Sequence, residues 1–455
     1  MITNDTIVAL STPPGVGAIG VVRLSGKDGI AICDSIFKGK VLAGQPSHTL
    51  HFGHIVDGEE MIDEVVVGIF KAPNSYTKEN VVEISCHGSP YIQQKIIQLL
   101  IRKGARPAKA GEFTLRAFLN GRLDLSQAEA VADLIASDSE SSRKAAISQM
   151  RGGFSTEIKK LRDELIHFAS LIELELDFAE EDVEFANRKK LTDLVSRLKS
   201  HVLSLKNSFQ LGNVIKHGVT TVIAGRPNAG KSTLLNALLN EDRAIVSEIA
   251  GTTRDTIEEV INIEGILFRL IDTAGIRDAT DVLEKMGVEK TMEKIRQSAL
   301  LLYVFDVKDM NRDDLLYDLS RLPTGDIPVM VIGNKIDGEE ARDLHGEFSE
   351  VPNVSFISAQ QHQHLEALKQ QLAALVLHKE QLGDRTIVTN VRHYDSLLKT
   401  NEALDEVLHA LETGTSQELF ASDIRRALNY LGEITGDITN DDILASIFSK
   451  FCIGK

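Results

Sequence analysis

The spacing of apolar residues changes along the chain and divides it into segments of different predicted structure. Before Gly121, short β-rich runs at 19–26 and 64–70 are followed by an apolar-periodic run over 91–104. This order predicts a small α+β domain. After Leu125, apolar residues recur three and four positions apart through 128–150 and 157–178, which is the spacing of long packed helices.

A different pattern begins near residue 218. Apolar runs at 220–227, 267–275, 301–307 and 327–335 alternate with helical patterns. Each run is typical of a strand buried on both faces, so this segment is predicted to be a doubly wound α/β domain. Helical spacing then returns and continues through 422–435.

We therefore predict a multidomain fold that combines α/β and helical domains. Proline supports the division, because 108–226 and 353–455 contain none and proline is disfavoured inside helices. The α/β unit is expected to be inserted at a surface connection of one helical bundle. The predicted parts are an N-terminal α+β domain at 1–121, a first helical half at 122–215, the inserted α/β domain at 216–377 and a second helical half at 378–455.

The charge balance argues against a general electrostatic affinity for nucleic acid or membrane. The 455 residues include 50 Lys and Arg against 66 Asp and Glu, a formal charge of −16, so any RNA contact must be local or shared with a partner. The three scattered cysteines lack metal-binding spacing and fit a reducing compartment. With no signal-peptide pattern and no apolar run of about 20 residues, we expect a cytoplasmic protein without membrane association.

The segment Gly225–Ser232, GRPNAGKS, matches the phosphate-binding motif GxxxxGK[ST] between a predicted strand and a predicted helix. Its glycines let backbone N–H groups surround phosphates, Lys231 reaches the terminal phosphates, and the Ser232 hydroxyl can bind Mg²⁺. A chance glycine-rich turn is the alternative, and the motifs that follow disfavour it.

Three further motifs follow predicted strands. Asp272–Gly275, DTAG, would place a carboxylate near the metal and a glycine amide near the γ-phosphate. In Asn334–Asp337, NKID, the Asp337 carboxylate can accept both N1–H and N2–H₂ of guanine, which selects GTP over ATP. Ser358 and Ala359 are predicted to contact the base, with an ordinary loop as the alternative.

The switch region leaves one role open. Gly251–Asp255, GTTRD, lies between the P-loop and DTAG, and Thr253 is the predicted Mg²⁺ ligand when γ-phosphate is present. Ile276 follows DTAG where many GTPases have glutamine, so another group must orient the attacking water. The spacing does not distinguish among four nearby carboxylates, Asp278, Asp281, Glu284 and Glu289.

Along its whole length, the chain resembles the MnmE (TrmE) family of tRNA-modification GTPases. A P-loop alone would not single out this family, whereas the terminal CIGK motif does. The residues that carry the resemblance are Thr12–Gly15 (TPPG), Gly111–Thr114 (GEFT), Arg116–Leu125 (RAFLNGRLDL), Gly225–Ser232, Gly251–Asp255 and Phe451–Lys455 (FCIGK).

The resemblance implies a tetrahydrofolate-binding N-terminal domain that forms a homodimer, and a TrmE-type G domain that hydrolyses GTP when two copies meet across their switches. It also implies a heterotetramer with the FAD-dependent MnmG (GidA) protein. Together they would add an aminomethyl or carboxymethylaminomethyl group at C5 of the wobble uridine of certain tRNAs. The carbon would come from 5-formyl- or 5,10-methylene-tetrahydrofolate, and we expect tRNA, the substrate, to be contacted mainly through the partner.

The resemblance further implies a K⁺ ion near the β,γ-bridging oxygen, where a cation offsets developing charge. Its implied ligands are Asn228, Ser247, Ile249 and Thr252, while Mg²⁺ would be held by Ser232 and Thr253. The predicted GTP contacts are Asn228, Ala229, Gly230, Lys231, Ser232, Thr233, Ser247, Glu248, Ile249, Ala250, Gly251, Thr252, Thr253, Asp272, Thr273, Ala274, Gly275, Asn334, Lys335, Ile336, Asp337, Ser358 and Ala359.

Two catalytic roles are also implied by the resemblance. Glu284 would orient the attacking water through a second water, with an exposed helix glutamate as the alternative. Cys452 would reach the folate pocket of the paired subunit and take part in chemistry, with a small buried thiol as the alternative. The implied folate contacts are Arg23, Glu83, Arg122 and Lys455.

Alternatives remain for these assignments. Arg23 and Arg122 could instead form surface salt bridges. The alternative function is a GTP-controlled binding switch in ribosome assembly, because the GRPNAGKS motif by itself is generic.

Overall fold

The computed structural model shows two compact units, each made of discontinuous parts of the chain. One contains Met1–Ile135, Ser148–Ser200 and Ser396–Lys455, and the other contains Ala136–Ile147 and His201–Asp395. The residues described are 5–177, 188–242, 258–271, 292–325, 327–337, 343–377, 386–413 and 417–454.

The N-terminal part of the first unit contains a seven-stranded sheet with the order β3-β4-β5-β6-β2-β1-β7. Neighbouring strands are antiparallel except β1 and β7, which are parallel. The strands are β1 Ile7–Leu10, β2 Ile19–Ser25, β3 Phe37–Lys38, β4 Thr49–Asp57, β5 Glu60–Phe70, β6 Val81–His87 and β7 Arg106–Pro107.

Two helices cover one face of this sheet. The inward residues of the central strands, such as Val22 and Ile84, are fully buried and pack with α1 (Gly29–Asp34) and α2 (Pro90–Arg102). Proline at the first position of α2 favours its start there. This arrangement confirms the predicted α+β region.

The next helices are α3 Glu112–Leu119, α4 Leu125–Ile135, α5 Glu140–Met150, α6 Gly153–Asp177 and α7 Arg188–His217. The apolar periodicity of 128–150 is interrupted between α4 and α5. There the Ser139 hydroxyl accepts from Ser142 N–H at 3.1 Å, and the Ser142 hydroxyl accepts from Ser139 N–H at 3.1 Å. This reciprocal capping starts a new helix.

A partly buried ion-pair network, with Arg116 and Glu112 at its buried centre, fixes α3 to the sheet. Arg116 pairs with Asp5 at 2.7 Å, Glu79 at 3.1 Å and Glu112 at 3.3 Å, while Arg106 pairs with Glu112 at 2.6 Å. Removing one partner would leave a buried charge unpaired, which is costly. The GEFT and RAFLNG segments therefore contribute Glu112 and Arg116 to the contacts that hold α3 in place.

The second unit contains a six-stranded sheet with the order β13-β12-β11-β8-β10-β9. All neighbouring strands are parallel except β9 and β10. The strands are β8 Val219–Ala224, β9 Glu258–Ile263, β10 Ile266–Ile271, β11 Leu300–Asp306, β12 Val329–Asn334 and β13 Val354–Ile357.

Helices cover both faces of this sheet, as predicted for a doubly wound domain. On β11, Leu302 and Val304 pack in the core that includes α8 (Lys231–Asp242) and α11 (Leu365–Leu377). The alternate residues Tyr303 and Phe305 pack with α9 (Arg312–Ser320) and α10 (Leu344–Glu347). Because β10 and β11 lie on opposite sides of β8, the strand order reverses there, and ligands of such sheets bind beside the carboxyl ends at that point.

The C-terminal helices are α12 Val391–Thr413, α13 Gln417–Thr435 and α14 Asp441–Phe448. On α13, Ile424, Ala427 and Leu431 are fully buried, and the helix packs along α6 and α4. This confirms the helical spacing predicted for 422–435. Among the described residues, no helix combines the length and apolarity needed to cross a membrane.

The domain boundaries at 121, 215 and 377 stay predictions. In sequence, most of the unit with the mixed sheet lies between two parts of the other unit. Three of the four limits between the units fall within α5, α7 and α12, since 147, 200 and 395 each lie inside a continuous helix, and the fourth follows Ile135, the last residue of α4.

Candidate functional site

The P-loop, Gly225–Ser232, connects β8 to α8 at the carboxyl edge of the mixed sheet. Gly225 has a φ of +145°, and an added Cβ would lie 2.0 Å from the Val304 carbonyl oxygen of β11. A side chain does not fit at Gly225, because the nearest atoms all belong to the backbone of Val304 and cannot move aside. The beginning of the P-loop is therefore held directly against β11.

Asn334, the last residue of β12, links the P-loop to the loop that follows β13. Its side-chain amide donates to the Ala229 carbonyl at 3.0 Å and accepts from Ala359 N–H at 3.0 Å. Gly230 has a φ of +93°, and an added Cβ would lie 2.2 Å from Asn334 Nδ2. The motif residues of three loops are thus joined through one buried amide.

Lys231 lies at the start of α8, where backbone N–H groups favour anions. Its ammonium donates to the carbonyl oxygens of Gly225 at 2.9 Å and Arg226 at 2.8 Å. Ser232 is half-buried and Thr233 is exposed in the same helical turn, while Asn228 is exposed in the loop with a φ of +61°. This end of the site thus contains a residue with a cationic, one with a hydroxyl and one with an amide side chain within one loop and the first turn of α8.

The predicted guanine contacts lie after β12 and β13. Asp337 accepts a 2.8 Å hydrogen bond from the buried Ser358 hydroxyl, which lowers the pKa of Asp337. Lys335 donates to Asp306 Oδ2 at 2.6 Å, and Ile336 N–H donates to Ile357 at 3.3 Å. The result is an ionised carboxylate, which only accepts hydrogen bonds.

Several predicted site residues lie outside the described residues. They include the candidate Mg²⁺ ligand of switch I, most of the candidate K⁺ ligands, the DTAG motif and the terminal lysine. These are Ser247, Glu248, Ile249, Ala250, Gly251, Thr252, Thr253, Asp272, Thr273, Ala274, Gly275, Glu284 and Lys455.

A second cluster of predicted residues lies on the outer face of the N-terminal sheet. Arg23 of β2 is directly opposite Glu83 of β6, and its Nε and Nη2 lie 2.9 Å and 2.7 Å from Glu83 Oε1. Arg23 Nη1 also donates to the Gly454 carbonyl at 3.2 Å. A carboxylate, a guanidinium and the C-terminal segment therefore meet at one place.

Aromatic rings complete this cluster. The Arg23 guanidinium lies 5.6 Å from the Tyr76 ring centroid and 5.7 Å from that of Phe113. Arg122 lies 5.8 Å from Tyr76 and donates to the Ser75 carbonyl. Tyr76 is thus flanked by two guanidinium groups, an arrangement stabilised by the ring quadrupole.

The C-terminal segment contacts the N-terminal region of its own chain. Gly111 N–H donates to the Cys452 carbonyl at 3.4 Å, and the Ser11 hydroxyl donates to the Gly454 carbonyl at 3.1 Å. Gly454 has a φ of +99°, and an added Cβ would lie 2.1 Å from the Leu10 carbonyl oxygen. Close backbone contact therefore requires glycine in the CIGK motif.

Comparison with known protein families and proteins covers both the nucleotide site and the cluster around Tyr76. The family described as GTP-binding protein TrmE N-terminus matches residues 6–122, and the MnmE helical domain matches 125–452. A Cytophaga hutchinsonii protein named tRNA modification GTPase MnmE is 57% identical over 100% of this chain and 99% of its own. The chain belongs to the MnmE family. A Flavobacterium psychrophilum protein of the same name is 54% identical over 100% of both chains.

The solved structures that match are similar over a smaller region. One is Aquifex aeolicus Era bound to GDP.AlF4-, with 27% identity over 41% of this chain and 66% of that chain, and a TM-score of 0.28. A superposition at this TM-score supports no conclusion about the present chain. The MnmE assignment rests on the family matches and the full-length relatives.

The alternatives weighed for individual residues of this MnmE chain have different outcomes. Cys452 is exposed, so the alternative of a small buried thiol is wrong. Arg23 does form an ion pair, but the pair is mostly buried and also contacts Tyr76 and the C-terminal segment. The roles predicted for Arg23, Glu83, Arg122 and Cys452 stay predictions.

Sequence reasoning missed four residues of these clusters. Tyr76, Phe113 and Ser11 contact the arginines or Gly454, and Asp306 binds Lys335. Phe113 lies within the GEFT segment and Ser11 precedes TPPG, so their proximity to quoted motifs was the available signal. Tyr76 had no comparable signal, because only the fold brings it near Arg23.

Proposed function

We propose that this MnmE family member is a K⁺-dependent GTPase that modifies tRNA together with the FAD-dependent MnmG (GidA) protein. The pair adds an aminomethyl or carboxymethylaminomethyl group at C5 of the wobble uridine, with the carbon supplied by 5-formyl- or 5,10-methylene-tetrahydrofolate. Similarity along the whole chain to relatives named tRNA modification GTPases carries this proposal.

The nucleotide-site geometry supports GTP as the substrate. Asn334 fixes the P-loop relative to the loop containing Ala359. The ionised Asp337 accepts the two N–H donors of guanine, while Lys231 and the α8 N-terminus bind the phosphates. The residues at the two ends of the site thus suit the two ends of GTP.

The cation sites are proposed from their donor groups. Ser232 and Thr253 would hold Mg²⁺ through hydroxyl oxygens, and K⁺ would be held by Asn228, Ser247, Ile249 and Thr252. When bound, these cations offset the negative charge that develops between the β- and γ-phosphates. The exposed amide of Asn228 beside Ala229 and Gly230 is compatible with this role.

Ile276 has no polar atom in its side chain, and the resemblance to the MnmE family assigns water activation to Glu284. Its carboxylate would orient the attacking water through a second water. A Glu284→Ala chain should therefore still bind GTP but turn it over more slowly, whereas unchanged turnover would remove this assignment.

The cluster around Tyr76 supports folate binding. Glu83 is partly exposed, and a carboxylate matches the amide-amidine edge of a pterin. Arg23 fixes that carboxylate by two hydrogen-bond donors. The exposed Arg122 and the terminal Lys455 supply positive charge suited to the glutamate tail of folate, and Cys452 is the candidate catalytic residue, implied by the family resemblance to reach the folate pocket of the paired subunit.

The outer face of the same sheet supports homodimer formation through the N-terminal domain. Leu50 and Phe52 of β4 are 74% and 65% exposed, and Ile19 of β2 is 65% exposed. Alternation along paired strands places them on the face that carries Arg23 and Glu83. Apolar residues on one exposed face are typical of protein interaction surfaces.

The test is GTP turnover measured against protein concentration in K⁺ and in Na⁺. We expect turnover per chain to rise with concentration and to be about 10- to 100-fold faster in K⁺, because the cation stabilises transition-state charge. Equal rates in the two salts would contradict the K⁺ mechanism but leave a GTPase. Absence of reduced-folate binding, measured separately, would contradict the folate assignment.

A further inference from the structure

Arg226, the second residue of the P-loop, extends away from the phosphate-binding residues to α9. Its Nε and Nη2 donate to Asp318 Oδ2 and Oδ1 at 2.7 Å and 3.0 Å. The Tyr303 hydroxyl of β11 donates to the same Asp318 carboxylate at 2.6 Å. The Arg226 guanidinium is therefore held by a two-point contact whose acceptor is itself fixed by the sheet.

Asp318 and Tyr303, the two residues that hold the Arg226 guanidinium in place, are largely buried, and their contacts fix their protonation states. The Asp318 side chain is 20% exposed and Tyr303 is 4% exposed. The Arg226 guanidinium, followed by the Tyr303 hydroxyl, holds the pKa of Asp318 below its usual range. Burial, together with Asp318, raises the pKa of Tyr303, so its hydroxyl remains a donor.

The backbone of Arg226 connects this cluster to the phosphate site. Its carbonyl accepts from the Lys231 ammonium at 2.8 Å, and the preceding carbonyl of Gly225 accepts at 2.9 Å. Gly225 is in turn held against Val304 of β11. The first residues of the P-loop are thus fixed from β11 and α9, independently of Asn334 at the other end.

We infer that Asp318 and Tyr303 are positioning residues for the P-loop: through Arg226 they fix the carbonyls that orient Lys231 toward the phosphates. This inference rests on the proposed GTPase function and adds residues that no sequence motif identified. The effect should appear in phosphate-dependent affinity, for GTP and GDP alike, and not in the preference for guanine.

A double-mutant cycle separates positioning from direct contact. If Arg226 acts only through Asp318, then Arg226→Ala and Asp318→Ala remove the same interaction. The double variant should then bind nucleotide about as tightly as the single variant with the lower affinity. If Arg226 itself binds the nucleotide, then Asp318→Ala should lower nucleotide affinity less than Arg226→Ala does.

The experiment measures dissociation constants of fluorescent GTP and GDP analogues for the full chain, with kcat and KM for GTP. We expect each single variant to weaken both nucleotides about fivefold, because the Arg226 side chain is 45% exposed and solvent screening reduces the contribution of its ion pair. Tyr303→Phe should weaken them about threefold. The ratio of GTP to ATP affinity should remain unchanged, because the guanine contacts lie after β12 and β13.

Asp313→Ala is the matched control, because it removes the same charge from an exposed position of α9. It should leave nucleotide affinity unchanged. Asp318→Asn, which keeps the size of the side chain, replaces Asp318→Ala if thermal unfolding shows that the alanine variant is not folded. It should weaken both nucleotides by about threefold or more.

Three results would overturn the inference: unchanged affinity in a folded Asp318 variant, a double variant with multiplied effects, or a selective loss of guanine preference. These outcomes differ from failure of the proposed function. In that case the unaltered chain itself would not bind GTP, whatever the variants did.

Discussion

The nucleotide site and the cluster around Tyr76 are assembled in different ways. In the nucleotide site, short motifs follow β8, β12 and β13, and their residues meet because parallel strands end at one edge. In the Tyr76 cluster, Arg23 binds the Gly454 carbonyl across 431 residues of sequence. One site is built from local motifs and the other from distant segments of chain.

This difference affects how each site responds to change. The nucleotide loops contact neighbouring strands through backbone atoms, so a single added methyl group disrupts them. The Tyr76 cluster depends on side-chain ion pairs and on the docking of the C-terminal segment. The two sites should therefore be separable by substitution.

The largest expected effect is that of Gly225→Ala. The added Cβ would collide with the Val304 carbonyl oxygen, and the φ of +145° is itself strained for alanine. We expect GTP affinity to fall by more than about 100-fold, with folate binding retained. Gly325→Ala is the control, since it also has positive φ but an added Cβ has no neighbour within 4 Å.

Measurement of both ligands on one preparation checks this separation. Normal GTP binding by Gly225→Ala would show that the P-loop does not need its close contact with β11. Loss of folate binding as well would show that the two sites are not separable.

Glu83→Gln should produce the next largest effect. The amide keeps the shape of the side chain but loses the charge that pairs with Arg23 and replaces one acceptor by a donor. We expect reduced-folate affinity to fall about 30-fold without a change in GTP turnover, as measured by calorimetry and a phosphate-release assay. Glu64→Gln on the neighbouring strand β5 is the control, and an equal loss there would remove the specific role of Glu83.

Gly454→Ala tests whether the C-terminal segment belongs to the folate site. Its Cβ would displace the segment from Leu10 and so remove the carbonyl that Arg23 contacts. We expect folate affinity to fall about tenfold, the effect of one hydrogen bond to a charged group. Folate affinity equal to that of the unaltered chain would show that the segment is dispensable for binding.

Ser358→Ala should have the smallest effect, a shift in pH dependence. The Ser358 hydroxyl lowers the pKa of Asp337, so its loss raises that pKa. Because only the ionised carboxylate accepts both guanine donors, guanine preference is present above this pKa and lost as pH falls through it. The variant should lose preference at a higher pH than the unaltered chain, as measured by GTP and ATP competition.

Asp337→Asn provides the reference for this titration, since it should weaken guanine preference at every pH. Identical pH profiles for Ser358→Ala and the unaltered chain would contradict the role assigned to the hydroxyl. A pH-independent loss in Ser358→Ala would instead indicate a change in the loop.

Much of the fold followed from local patterns. The alternating runs predicted the doubly wound sheet because each strand is buried on both faces, and the three- and four-residue spacing predicted the helices. Strand β4 was not predicted, because histidines and glycine interrupt its apolar alternation. The break between α4 and α5 depends on capping by Ser139, which the continuing apolar period concealed.

By itself the sequence determined the GTPase motifs, since phosphate and guanine recognition depends on residue types at fixed short spacing. Family resemblance, and not spacing, pointed to Arg23, Glu83 and Arg122. Only the tertiary structure decided that Arg23 and Arg122 flank Tyr76, that Gly454 contacts Leu10, and that Arg226 binds Asp318, which Tyr303 also contacts. Such contacts depend on how segments that are far apart in sequence pack together, and no local pattern of residues specifies that packing.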